Sequence, residues 1–274
     1  MIKLIALDID QTLLNSQSEI TADTKNSLQK ALQQGIKIVL CSGRPLAGVS
    51  PYLKEIGITG DEQYVITYNG ALVESVSGKI LSRQTLDNAD YRRIVKYVTE
   101  HNMQYYVLGD DSKVYTSNHD INRIAVVQAW ENSAGIYVRT PDELPADFEI
   151  PKAAIVGEKE TLDNYEEPVK KEFADDYYVV RAADNFLELM HKDVNKGSGL
   201  TKLTTILNIK PEEVMVFGDE QNDLPMFDFA GTAICMGNGS DLAKAHADYV
   251  TDTNDNDGIA KALDKFIFLE TYQN

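Results

Sequence analysis

The sequence predicts an α/β protein in which a parallel core sheet, covered by helices on both faces, is interrupted by an inserted α+β domain. Three observations carry that expectation. The first third of the chain alternates short apolar runs with helical patterns, which is how strand–helix–strand units around a doubly covered parallel sheet read. The middle mixes hairpin signals with helices. From Asn195 the alternating pattern resumes, with no internal repeat or low-complexity tract on the way.

Taken in order, Lys3 to Ile9 reads as a buried strand, an apolar run that ends among acids. Thr21 to Gln34 reads as a helix stopped by Gly35, the usual residue just past a helix end. Ile36 to Cys41 is a second buried strand. Pro45 then fits the first turn of a helix, where its missing N–H costs nothing. Tyr64 to Thr67 is a third strand, followed by a hairpin through Val73 to Lys79. In the middle, Asp87 starts a helix with Tyr91, Ile94, Val95 and Val98 on one face, the 3.6-residue period. Tyr105 to Leu108, the turn at Gly109 to Ser112, and Val114 to Thr116 form a hairpin. A helix over about Ile121 to Glu131, a strand at Lys152 to Val156, a helix at Leu162 to Phe173, and paired segments Tyr177 to Arg181 and Phe186 to Met190 follow. Beyond Asn195 come a helix to about Leu207, a strand at Glu213 to Gly218 and a short helix after Asn222. Strands at Thr232 to Met236 and Tyr249 to Thr251 and a closing helix at Ile259 to Leu269 end the pattern. The core domain is therefore expected over residues 1–82 and 189–274, and the insert over 83–188, a size suited to a domain.

Bulk properties bound the function. At 274 residues, 43% hydrophobic and 25% charged, the chain can bury a sizeable core and is neither disordered nor fibrous. No apolar run approaches the ~20 residues that span a bilayer. The start, Met-Ile-Lys-Leu-Ile-Ala-Leu-Asp, lacks the regions of a signal peptide. Cys41 and Cys235 sit among apolar neighbours without metal-ligand spacing, as reduced thiols do, so a cytoplasmic protein with no membrane partner is expected. The net charge of −17 disfavours nucleic acid as a partner. It also repels a phosphorylated substrate on average, so such a site requires local cations. Nothing in the sequence speaks to oligomeric state.

Four polar segments fall at the C-terminal ends of predicted core strands, the edge where open parallel sheets bind ligands. The first is Asp8-Ile9-Asp10-Gln11-Thr12. In extended chain, residues two apart point the same way, so both acids can face one site. Two such carboxylates repel unless a cation or a proton relieves them. One can serve as nucleophile and the other as acid and base, or else the segment is a solvated acidic turn after a strand. The second is Ser42-Gly43-Arg44-Pro45, a hydroxyl and a glycine N–H before a helix, which is a ready anion site or else a plain cap. The third is Asn195-Lys196-Gly197, with Asn195 as N-cap and Lys196 in the first turn, where the helix dipole disfavours a cation. That broken local rule is a hint of function, although a solvated surface lysine reads the same way. The fourth is Gly218-Asp219-Glu220-Gln221-Asn222-Asp223, an oxygen-rich set suited to Mg2+, or alternatively an acidic turn capped by Asn222.

In this order the four segments resemble the motifs of the haloacid dehalogenase superfamily, with its Rossmann-like core. The placement of the insert between the second and third resembles the Cof-type branch of sugar-phosphate phosphatases. Tyr68-Asn69-Gly70-Ala71 and Asp193 to Gly197 extend the likeness along the whole chain. The resemblance implies an Mg2+-dependent phosphatase acting on a small-molecule phosphate ester. It assigns Asp8 as the nucleophile that forms an aspartyl phosphate. Asp10 would protonate the leaving oxygen and then activate water. Ser42, Gly43, Lys196, Asn222 and the Ile9 backbone would hold phosphate. Asp8, the Asp10 backbone carbonyl and Asp219 would hold Mg2+, with Asp223 among them or just behind. Arg44 is a candidate for the body of the substrate, whose identity the insert would select. Mg2+ and Lys196 would then supply the positive field that the net charge demands.

Two departures stand out. Gln11 replaces the glycine common in the family, which implies a differently shaped turn, and His191 stands where a proline is frequent. His191 reads as a structural histidine, and His101, His119 and His246 show no metal spacing. A phosphomutase of the phosphomannomutase kind shares the nucleophile and an inserted domain and is the alternative enzyme. A non-catalytic regulatory protein that kept the fold is the alternative from another class.

Overall fold

The computed structural model describes residues 1–268. The chain forms two compact units, Met1–Ser82 together with the chain from Asn195 onward, and Arg83–Val194.

The core unit opens with β1 (Leu4–Leu7), α1 (Ala22–Gln33), β2 (Lys37–Cys41), α2 (Leu46–Ile56), β3 (Tyr64–Thr67), β4 (Leu72–Ser75) and β5 (Ile80–Arg83). The second unit holds α3 (Asn88–Glu100), β6 (Gln104–Leu108), β7 (Val114–Thr116), α4 (Arg123–Glu131), β8 (Ile136–Val138), β9 (Lys152–Val156), α5 (Lys159–Phe173), β10 (Tyr177–Ala183) and β11 (Phe186–His191). The chain then returns to the core with α6 (Lys196–Leu207), β12 (Val214–Gly218), α7 (Leu224–Phe229), β13 (Thr232–Cys235), α8 (Asp241–His246), β14 (Tyr249–Val250) and α9 (Gly258–Leu263).

Among the described residues the core sheet has the order β14-β13-β12-β1-β2-β3-β4-β5. It is parallel from β14 to β3, and β4 turns back antiparallel to β3. Its strands are apolar on both faces, and alternation along them sorts two cores. Ile5, Leu7, Ile38, Leu40, Met215 and Phe217 pack with Leu28 of α1, Leu53 of α2 and Leu263 of α9. Leu4, Ala6, Val39, Cys41, Val214 and Val216 pack with Leu200 and Leu203 of α6 and Met226 of α7. Each face is thus covered by helices, as burial of both faces of a parallel sheet requires. β1 lies mid-sheet, flanked by β2 and β12, so the chain leaves its C-terminal end at a topological switch point.

The second unit is a sheet of order β10-β11-β9-β6-β7-β8, antiparallel except where β7 runs parallel to β8. Tyr91, Ile94 and Val98 of α3 and Leu162, Val169 and Phe173 of α5 cover the face that carries Tyr105, Val107, Ile155 and Leu187. Tyr106 alternates with Tyr105 and donates its hydroxyl to Gln128 of α4 at 2.9 Å. A buried ion pair, Lys152 Nζ to Glu188 Oε1 at 2.5 Å, joins β9 to β11.

Several expectations change. The insert runs to Val194 rather than Glu188, because β11 pairs with β10 from Phe186 to His191 and with β9 from Phe186 to Leu189, and so continues the insert's sheet past Glu188. Pro45 is the residue before α2 rather than a residue of its first turn. The short β8 and α8 were unforeseen, since elements of three and six residues are too brief to show a period. The closing helix is regular only through Leu263 and continues as a wider turn to Phe268, and Leu269 lies outside the described residues.

Candidate active site

Asp8 ends the central strand. Its N–H donates to the Phe217 carbonyl at 3.0 Å, the last rung of the ladder between β1 and β12. Its side chain is therefore delivered, buried, at the switch point. The chain then turns tightly through residues 9–13, with the Leu14 N–H returning to the Ile9 carbonyl at 2.9 Å. Gln11 sits at φ 64°, the left-handed conformation a glycine would adopt with less strain, so the turn survives the substitution. Its carbonyl accepts from Asn238 Nδ2 at 2.8 Å, which ties the turn to the loop after β13.

Ser42 follows β2 and is buried, its N–H donating to the Ile66 carbonyl at 2.9 Å. Its hydroxyl oxygen accepts from the Arg44 N–H at 3.1 Å, a small turn that spans Gly43. Asn195 caps α6 with reciprocal bonds to Ser198, and Lys196 begins the helix with its side chain only 1% exposed. A close approach places that helix. A side-chain carbon on Gly199 would lie 2.8 Å from Ile66 Cγ2 and 2.9 Å from Gly70 Cα, so neither glycine leaves room for more. The Lys196 ammonium donates to Asp8 Oδ1, and to Asp223 Oδ1 at 2.6 Å. The cation that the helix dipole opposes is thus held by two carboxylates.

Asp219 and Asp223 follow β12. Asp223 is fully buried, and its Oδ2 accepts from the N–H groups of Asp219 at 2.9 Å and Glu220 at 3.1 Å. Asp219 Oδ1 accepts from the Thr12 hydroxyl at 2.7 Å. Ser240 N–H donates to the Asp219 carbonyl at 2.9 Å. Oxygen atoms of Asp8, Asp219 and Asp223 all lie within 4.8 Å of one another.

Three carboxylates and one ammonium leave the buried cluster short of positive charge. Burial pushes Asp8 well above the usual carboxylate range, and Lys196 only partly opposes it. Burial, then the neighbouring Asp223 charge, pushes Asp219 up to about 7. For Lys196, burial works downward, but Asp223 and Asp8 outweigh it and the ammonium is held more firmly than usual. Convergent, under-neutralised, all-oxygen donors fit a hard divalent cation, which commonly takes one or two carboxylates with water and substrate oxygens.

Of the residues singled out by sequence, Asp8, Lys196, Asp219 and Asp223 come together. Asp10 does not join them. Its carboxylate turns to Arg44, with Nε donating to Oδ2 at 3.0 Å and Nη2 to Oδ1 at 2.6 Å. Ile9 is buried at the start of the turn, and Gly43 and Asn222 are half-buried on their loops beside Ser42 and Asp223. His191 belongs to the second unit, its Nδ1 3.0 Å from Gln84 Nε2 and accepting from the Asp193 N–H at 3.3 Å. Thr12 and the loop Asn238–Ser240 were missed as supports of the acids. Thr12 carried a signal, a hydroxyl four residues past the first acid, and the loop's Gly-Asn-Gly-Ser after a core strand was another. Among the described residues no helix is long and apolar enough to cross a membrane.

The family model for haloacid dehalogenase-like hydrolases matches residues 5–263. The chain is 31% identical over 284 residues to phosphatase YwpJ of Bacillus subtilis (strain 168), covering 95% of this chain and 98% of the relative. It is 29% identical over 280 residues to the 5-amino-6-(5-phospho-D-ribitylamino)uracil phosphatase YitU of the same organism, covering 97% and 98%. A solved haloacid dehalogenase-like hydrolase from Bacteroides thetaiotaomicron superposes with a TM-score of 0.85 at 30% identity, covering 97% of this chain and all of that one. This chain, with an aspartate-tipped central strand and a buried lysine among its acids, belongs to the haloacid dehalogenase-like hydrolase family.

Proposed function

We propose that this hydrolase is an Mg2+-dependent phosphatase of small phosphorylated metabolites that works through an aspartyl phosphate at Asp8. The observation that carries the reading is the buried contact of Lys196 with both Asp8 and Asp223, beside Asp219, at the end of the central strand. Asp8, the Asp10 carbonyl, Asp219 and Asp223 would hold the cation, which supplies charge neutralisation to the nucleophile and the phosphoryl oxygens.

In the first half-reaction an Asp8 oxygen bonds to phosphorus while the ester P–O bond breaks, and the Asp10 carboxyl gives its proton to the leaving oxygen. In the second, Asp10, now a carboxylate, takes a proton from water as the water oxygen bonds to phosphorus, releasing phosphate and restoring Asp8. Lys196, Ser42, the Gly43 and Ile9 N–H groups and Asn222 would share the phosphoryl oxygens. Positioning and charge neutralisation account for most of such a reaction. Lys196 fits its part because two carboxylates fix its ammonium beside the nucleophile.

Sugar phosphates lead as substrates, with phosphorylated cofactors such as flavin phosphates behind. The similarity to YitU, named for a phosphorylated ribitylaminouracil, supports a small phosphorylated metabolite as the substrate class. Free, buried Cys41 and Cys235 suit a cytoplasmic setting. The test is hydrolysis of an aryl phosphate. The wild type should release phosphate with Mg2+ and stop in excess chelator, and Asp8→Asn should fold but lose at least about 10³-fold in rate. Full activity of Asp8→Asn, or in chelator, overturns the proposal. A screen of phosphorylated metabolites then ranks the substrates.

A further inference from the structure

We infer that Arg44 is a positioning residue for Asp10, holding its carboxylate on the solvent side of the site through a two-pronged ion pair. The inference rests on the phosphatase reading.

The pair is asymmetric. Arg44 is the anchored member, with a side chain 18% exposed against 56% for Asp10. Its backbone is fixed at both ends, the N–H donating to Ser42 Oγ at 3.1 Å and the carbonyl accepting from the Tyr68 N–H at 3.2 Å. Its guanidinium carbon lies 5.9 Å from the centre of the Tyr52 ring on α2. Asp10 stands instead on an exposed tight turn whose next residue, Gln11, is in a left-handed conformation. An exposed aspartate on such a turn samples several rotamers. Two parallel N–H···O bonds from a planar fork select one of them, which a single ammonium cannot do.

An ion pair this exposed adds little stability, so its effect is on geometry. Asp8 faces inward to Lys196, while both Asp10 oxygens are turned to the guanidinium. The two acids of one motif are thereby held apart, one in the buried cluster and one solvent-exposed on the fork of Arg44. When Asp10 takes up a proton, the oxygen that carries it leaves the fork and turns to the leaving group, while the other oxygen stays on the guanidinium; transfer of that proton is sensitive to small misplacement of the acid.

The experiment uses a series of substituted phenyl phosphates, from strongly to weakly acidic phenols, with the whole enzyme and Mg2+. Esters of one shape keep binding constant while the need for a proton varies. For Arg44→Ala we expect kcat/KM to fall about 10²-fold on the least acidic phenol and less than about threefold on the most acidic. Arg44→Lys, which keeps the charge but not the fork, should show the same steepened dependence, and added guanidinium should flatten it in Arg44→Ala. In an Asp10→Asn background, Arg44→Ala should steepen the dependence no further, as read from the burst of released phenol. Equal losses across the series, or an additional steepening without Asp10, would make Arg44 a substrate-binding group alone and overturn the inference. A wild type inert on every ester defeats the phosphatase reading instead, and that result is distinct from equal losses in an active series. Near-ultraviolet circular dichroism of each variant, with Arg44→Lys as the conservative one, separates misfolding from mispositioning.

Discussion

Raising the pH from 5 to 8 in the presence of a chelator is expected to destabilise the core domain, because Asp219 and Asp8 both hold protons in the folded state that the unfolded chain releases. The Asp219 carboxyl is pushed from its ordinary 3.8 up to about 7 by burial and by the Asp223 charge. Between those values the folded protein holds a proton that the unfolded chain has released. The contribution to stability is complete below pH 4 and is lost as the pH climbs through 7. A displacement of that size corresponds to about 4 kcal/mol, of which roughly 2–3 kcal/mol falls between pH 5 and 8. Asp8, also raised by burial, acts with the same sign. For a domain of this size the change corresponds to a Tm lower by about 5–10 °C at pH 8. The assay is calorimetric or fluorimetric unfolding across pH in chelator, for the wild type and Asp219→Asn. The variant should lose the share of the slope that Asp219 contributes and keep that of Asp8. Millimolar Mg2+ should raise Tm more at pH 8 than at pH 5, because a cation binds the ionised acids and competes with their protons. A Tm that is flat or rising from pH 5 to 8 in chelator, or an Asp219→Asn profile parallel to the wild type, would refute the reasoning.

Lys196→Met leaves Asp8 and Asp223 buried without their cation and should cost about 3–5 kcal/mol at pH 8 by urea unfolding, with a smaller loss at pH 5 where protons can replace it. Thr12→Val removes a bond that lowers the Asp219 carboxyl, so the stability profile should move to higher pH with a loss of about 1–3 kcal/mol. Gly199→Ala forces its new carbon against Ile66 and Gly70, and should lower stability by about 1–3 kcal/mol and kcat by about tenfold or more as the start of α6 shifts. An unchanged Tm and kcat in that variant would show that the helix start tolerates displacement.

Much of the architecture was legible because it is written locally. Apolar runs of four or five residues bounded by polar turns locate β1, β2, β3 and β12 within about two residues, and Gly35 and Asn195 mark helix ends by their capping chemistry. β8 and α8 escaped because a few residues cannot display a period. Asp8 and Asp10 looked equivalent, since two-residue spacing in extended chain points both one way. The chain leaves the strand at Ile9, however, and the two side chains part.

Periodicity and capping depend on near neighbours, so the order of strands and helices and the arrival of acids, a hydroxyl and a lysine at strand ends are written in the residues alone. Which charges meet depends on the folded arrangement. Lys196 finds Asp8 across 188 residues and Thr12 finds Asp219 across 207, while Asp10 is claimed by Arg44. The physical reason is that the strength of a charge depends on the water removed from around it. That removal is accomplished by helices and loops drawn from both ends of the chain.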